Sequence, residues 1–264
     1  MDEEFSPLYQ ILFSSTDDRI GTVTAEELNK IAKRESVAAD RTQDPTIRFC
    51  LWLKAVIYYV MCANIFEQTK PEVAVAMYSD ISLVMSDLIN KVVKQKSEFN
   101  SKSQKLCNGY LHVIGLQCSA IISQKLFSLK CEDIGNSYSI MEELFKKNKS
   151  DDGSSRSKYT MKSTEVSGSM SSNSSSVCPN NMESMYDFWN QIKSHHSIAR
   201  NANTYWKDAE TVISQSELEP FFASINTNLS ALELSSDVQH LIIYIMIVLA
   251  KVKKLVFTDY GICA

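Results

Sequence analysis

The stretch Leu241-Ile-Ile-Tyr-Ile-Met-Ile-Val-Leu249 is nine apolar residues without interruption, preceded by Val238 and followed by Ala250, Val252, Leu255 and Val256. A helix here is apolar around its whole circumference, whereas a surface helix needs only one apolar stripe. The run is about half of the roughly 20 residues that cross a bilayer. Its cover is therefore either a core on every side, or a core on one side and a second chain on the other. The second option is the expectation. Leu241, Ile242, Ile245, Met246 and Leu249, with Phe221 and Phe222 beside them, form the candidate dimer interface. Each buried large aliphatic side chain contributes roughly 1.5–3 kcal/mol, so four or five outweigh the entropy of association.

Working back from that helix, the chain reads as a series of helices. Thr24-Ala-Glu-Glu27 is a capping box that starts a helix over about residues 25–39. The neighbouring acids faintly echo a calcium loop. Thr16 and Ile20 stand at its first and fifth ligand positions and supply no carboxylate, so the cap accounts for these residues. Asp44-Pro45 opens a helix to about Gln68 that is apolar almost all round, which places it centrally. From Pro71, the residues Ala74, Met77, Tyr78, Ile81, Val84, Met85, Leu88 and Val92 keep helical spacing on one face, so this helix lies outside. Another helix runs to about Leu129, with Gly115 and Ala120 permitting close approach of a neighbour. A short one over 132–147 buries Ile134, Tyr138, Met141, Leu144 and Phe145.

Residues 149–181 differ in character. Twelve of these thirty-three residues are serine, too little apolar surface to offset ordering, and the segment reads as a disordered insertion. An amphipathic helix follows, carrying Met185, Phe188, Trp189, Ile192, His195, Tyr205 and Trp206. Ser216-Glu-Leu-Glu219 and Ser236-Asp-Val-Gln239 read as two more capping boxes, the latter starting the final helix.

Composition agrees with an all-α fold, an antiparallel helix stack. Only 7 glycines and 5 prolines occur in 264 residues, fewer than strand-rich folds use in turns. A net charge of −4 creates no general field for nucleic acid. The acidic start Met1-Asp-Glu-Glu lacks the basic region of a secretory signal. Seven cysteines without a C-x-x-C pair read as reduced, mostly buried thiols. The boundaries read as a lead-in with a short helix (1–32), one helical domain (33–258) and a tail (259–264).

No phosphate loop, dinucleotide fingerprint, nucleophile elbow or H-E-x-x-H occurs, so no catalytic, cofactor or metal site is expected. His195 and His196 are adjacent and lie about 100° apart on a helix, a poor arrangement for sharing a metal. Lys91, Lys94, Lys96, Lys102 and Lys105 flank one helix connection. They read as solvated helix ends, or as a candidate nucleic-acid patch with steep salt dependence.

Three stretches resemble the C-terminal homology domain of the AFF family, which includes Lilliputian. The first is Lys54-Ala-Val-Ile-Tyr-Tyr-Val-Met-Cys62-Ala-Asn64-Ile-Phe-Glu67, similar to a family helix that has Asp where Lys54 stands. The second is Met77-Tyr78-Ser79-Asp80, then Leu116-Gln-Cys118 and Leu126-Phe127-Ser-Leu129-Lys130. The third is Tyr205-Trp206-Lys-Asp-Ala209-Glu210, followed by Phe221-Phe222-Ala. The resemblance implies tetratricopeptide-like helix pairs in a non-enzymatic nuclear scaffold of the super elongation complex. It implies homo- or heterodimerisation with a paralogous scaffold, weak nucleic-acid binding, and contact with other elongation proteins only through the full-length scaffold; the short apolar run of the last helix gives the expectation of no membrane. A monomeric helical repeat that binds peptides is the competing reading.

Overall fold

The computed structural model describes residues 23–95, 102–152, 179–215, 217–227 and 229–259. These residues form seven helices and, among them, no strand: α1 (Ala25–Arg41), α2 (Pro45–Thr69), α3 (Pro71–Gln95), α4 (Lys102–Asp152), α5 (Pro179–Ser214), α6 (Glu219–Asn226) and α7 (Val238–Asp259). The all-α fold expected from glycine scarcity and helical periodicity is the fold observed.

Local chemistry sets most helix starts. The Thr24 backbone N–H donates to Glu27 Oε2 at 2.8 Å, and the Glu27 N–H donates to Thr24 Oγ1 at 3.2 Å, completing the capping box of α1. Asp44 accepts from the Ile47 N–H at 2.9 Å, and Pro45 sits in the first turn of α2, where a missing N–H costs nothing. The two later caps differ from expectation. At α7 the cap is Asp237, which accepts from the His240 N–H at 2.7 Å, while Ser236 Oγ accepts from Glu233 N–H one turn earlier. Asp and Ser are both good caps, and the backbone path into the helix selects the later one. At α6 the cap position is Leu218, with no side-chain cap bond. Leu218 is instead buried, and Ser216 lies outside the described residues.

The described chain forms two compact units, one from residues up to Leu129 and from Ile198 onward, the other Lys130–Ser197. In the first, α2 packs against α1, α3 and α7. Its buried residues include Phe49, Leu53, Val56, Ile57, Val60, Met61 and Cys62, which point in every direction around the axis, so α2 is central as expected. α3 buries Ala74, Tyr78, Ile81, Met85, Leu88 and Val92 and leaves Leu83 71% exposed, as an outer helix should. Both α2 and the first thirty residues of α4 are long and apolar enough to cross a membrane, but the apolar stretch of α4 is almost entirely covered by the chain.

Close packing of α4 depends on its glycines. A Cβ at Gly115 would lie 3.3 Å from Ile89 Cγ1 of α3 and 3.3 Å from Phe49 Cζ of α2. Sequence predicted this close approach at Gly115. A second one, at Gly109, was not anticipated: there a Cβ would meet both Leu218 methyls at 3.1 Å.

α4 differs from expectation at Lys130. The two helices predicted on either side of it are one continuous helix of 51 residues. No proline falls at the junction, and Gly135 is exposed with open space around its missing Cβ, so it costs only the ordinary ~1 kcal/mol. α4 and α5 also claim residues 149–152 and 179–181 of the predicted insertion; 153–178 lie outside the described residues. α2 and α3 each have 25 residues, so a pair of them exceeds a tetratricopeptide repeat of about 34.

Replacing Gly115 with Leu should destabilise the fold by about 1–3 kcal/mol through overpacking, read as a lowered urea midpoint with an unchanged slope. Stability should also fall in alkali. Burial pushes the Cys118 thiol from 9.0 up to about 12 and the Tyr244 phenol from 10.0 up to about 12. Folded pKa values raised above unfolded ones mean that the native state holds protons which the unfolded chain releases. The stability is complete below about pH 9 and is lost as pH rises toward 12. Urea midpoints across that range check it.

Candidate interaction surface

In the first unit α7 is covered by its own chain. Leu241, Ile242, Ile245, Met246 and Leu249 are between 0% and 6% exposed, and Tyr244 donates its hydroxyl to Asn226 Oδ1 at 3.1 Å. A seam of Ile243, Ile247, Ala250 and Lys251 is partly open, and Leu255 near the end of the helix is 39% exposed. Phe222 is buried, and Phe221 stacks on Tyr110 with ring centroids 3.7 Å apart. Lys251 lies 5.7 Å over the Phe221 ring and donates to Ser224 Oγ at 2.6 Å. Six of the seven residues expected at a dimer interface are therefore core residues, and Phe221 packs half-buried against them. An apolar run records that a helix must be covered, not what covers it, and here α2 and the aromatic cluster supply the cover.

The residues behind the family resemblance carry polar contacts inside this unit. Glu67 of α2 accepts from Tyr78 OH of α3 at 2.7 Å and pairs with Lys125 Nζ of α4 at 2.7 Å. One carboxylate thus ties three helices. Burial, then the bond to Glu67, pushes the Tyr78 phenol far above its ordinary range. Cys62 Sγ lies 3.2 Å from the Ala25 carbonyl, where its thiol donates to the start of α1. Lys54 pairs at 3.6 Å with Glu35 of α1, and both side chains are largely buried. In the third stretch, Tyr205 OH reaches Ser86 Oγ at 3.5 Å, Trp206 Nε1 donates to Glu210 at 2.9 Å, and Ala209 is buried. These side chains fix helix against helix. An open cleft of about 500 Å³ lies between Asn64, Lys125, Ser128 and the start of α7. Asp237 already takes an amide of that helix end, and Lys125 is held by Glu67.

Of the lysine patch, Lys91 pairs with Asp87 at 2.6 Å and Lys102 with Glu217 at 3.4 Å. Lys94 and Lys105 are exposed, and Lys96 lies outside the described residues. Carboxylates beside two of the four described lysines dilute the positive field. Among the described residues no three of His, Cys, Asp and Glu converge as metal ligands.

Among the described residues, the first unit exposes scattered aliphatic side chains such as Leu83, whereas the second exposes three large aromatic ones and a methionine. Tyr138 is 62% exposed, Tyr186 67%, Trp189 64% and Met185 45%. Within it, α4 and α5 meet at Tyr138–Phe188, with centroids 6.4 Å apart, and at Cys131–His195. Phe188, Ile192 and His195 are half-buried and follow helical spacing along α5. Trp189 falls off that line into the open, and Met185, one turn before Phe188 along it, is also exposed. Tyr138, expected on a buried face, is exposed as well. Periodicity alone missed this surface because aromatic residues at helical spacing look the same whether covered or not.

The AFF4 C-terminal homology domain family matches residues 20–257. The chain belongs to that family. Among similar proteins, the AF4/FMR2 family member lilli of Drosophila melanogaster is 21% identical over 213 residues, 79% of this chain and 13% of the fly protein. Lilli of Drosophila virilis is 22% identical over 223 residues, 81% of this chain and 12% of its own length. Lilli of Drosophila grimshawi reaches 27% identity over a shorter span of 105 residues, 40% of this chain and 6% of its own length. The chain thus spans about an eighth of the relatives it matches. The family match takes in the whole of α1.

The contrast between α7 and the second unit is measurable. Ile245→Ala of this homology domain should cost about 2–5 kcal/mol, as for a fully buried aliphatic. Trp189→Ala should cost no more than about 0.5 kcal/mol, as at an exposed site. Urea unfolding of the two variants distinguishes core from surface.

Proposed function

We propose that the domain is a non-enzymatic dimerisation module of a nuclear transcription scaffold, pairing with a second copy or a paralogue. On this reading it serves RNA polymerase II elongation within the super elongation complex. Family membership over residues 20–257 supports the scaffold reading, and so does its small share of the relatives' length. Contacts with other elongation proteins then belong to the rest of such a scaffold.

One observation carries the interaction reading: Tyr138, Met185, Tyr186 and Trp189 are exposed together on the second unit. Large aromatic residues bury roughly 150–250 Å² each. Two copies of such a surface approach the ~1,000 Å² that a specific interface requires. Tyr and Trp are also the residue types that dominate binding energy at interfaces. This moves the proposed contact from α7, whose apolar residues are already covered, to the second unit.

Sedimentation equilibrium at micromolar concentration should give a dimer mass for the wild type. The double variant Tyr186→Ala/Trp189→Ala should sediment as a monomer with unchanged helix content by circular dichroism, and its urea midpoint should lose the dependence on protein concentration that a dimer shows. A wild-type mass that stays monomeric at every concentration overturns dimerisation and favours a peptide-binding monomer. Nucleic-acid retention that weakens steeply with salt would instead favour the lysine patch.

A further inference from the structure

Five cysteines have described surroundings, and four are withdrawn from solvent. Cys62, Cys107 and Cys118 are buried and Cys50 is half-buried. Desolvation pushes the Cys50 and Cys118 thiols up to about 12 and raises Cys62 as well. The thiolate is the nucleophile, so thiols held protonated are inert near neutral pH.

Cys131 has a different setting. It is exposed on α4, and its Sγ lies 3.6 Å from Nε2 of His195 on α5, sixty-four residues along the chain. The approach is built into the helix pairing. Seven residues further along α4 and seven residues back along α5, Tyr138 meets Phe188 in the same antiparallel register. His195 is half-buried, which restricts its ring, whereas the sulfur stays accessible. A thiol beside an imidazole from another helix is the minimal arrangement of nucleophile and base.

We propose that Cys131 is a modification site, a nucleophilic thiol with His195 as its base, and that its substrate is a hydroperoxide. The exposed position admits a small diffusible electrophile without a pocket to hold it. His195 Nε2 accepts the thiol proton, and the sulfur attacks one peroxide oxygen. The S–O bond forms as the O–O bond breaks. The departing hydroxide takes the proton back from the imidazolium. The products are Cys131 sulfenic acid and water, or an alcohol from an alkyl hydroperoxide. Sulfur loses two electrons and the peroxide gains them. An added thiol returns the sulfenic acid to the thiol by way of a mixed disulfide.

The test treats the full chain with hydrogen peroxide, traps sulfenic acid with dimedone and quantifies each cysteine by peptide mass spectrometry. Cys131 in the folded chain should react faster than Cys131 in the urea-unfolded chain, which has the same thiol without its neighbour. His195→Ala should slow it at least about tenfold, a modest share of what a positioned base contributes. Free imidazole should restore the rate in His195→Ala. His195→Gln, checked for helix content by circular dichroism, should be slow in the same way and guards against a folding defect in the alanine variant. Equal rates in folded and unfolded chain, or a rate untouched by both His195 variants, would overturn the site. A loss that imidazole leaves uncorrected would overturn the assignment of His195 as base.

Discussion

Three helices that are apolar around most of their circumference have to be covered by a chain of 264 residues. α2, the first part of α4 and α7 each present too much hydrocarbon for a single neighbour. The first unit meets this constraint by placing α2 between α1, α3 and α7 and by burying almost all of the apolar stretch of α4. Gly115 and Gly109 let the backbone of α4 come close enough for that covering to be complete. Along the apolar run of α7, what remains partly open is the narrow seam of Ile243, Ile247 and Ala250.

Polar groups inside the first unit set the geometry of the covering. Apolar contacts tolerate sliding, whereas a carboxylate shared by Tyr78 and Lys125 has few acceptable positions. Glu67 therefore fixes how α3 and α4 sit on α2. Glu35 and Lys54 do the same for α1 and α2. The base Lys54 suits the acid that α1 presents. Residues that looked like a signature of function are in this domain largely a signature of helix placement.

The second unit follows different rules. Its described helices pair through a thin line of half-buried residues: Ile134, Phe188, Ile192 and His195. That leaves large side chains uncovered, including Trp189 and Tyr186. The placement of Cys131 at one end of that pairing puts a reactive group where it does not disturb the core.

Much was decided by sequence alone. Helical periodicity and the scarcity of glycine required an all-α fold. Thr24–Glu27 and Asp44-Pro45 marked two helix starts, because a cap is a contact among residues three apart in the chain. The stripe of α3 showed one covered face. Other features needed the tertiary structure, because they concern which surface meets which. The apolar run of Leu241–Leu249 demanded a cover, but local spacing is identical for a core and for a dimer, and packing assigned these residues to the core. Trp189 and Phe188 are neighbours of like character, yet only the pairing of α4 with α5 leaves one in the open and half-covers the other. The meeting of Cys131 with His195, sixty-four residues apart, likewise belongs to the fold, since no short-range rule relates residues brought together by two antiparallel helices.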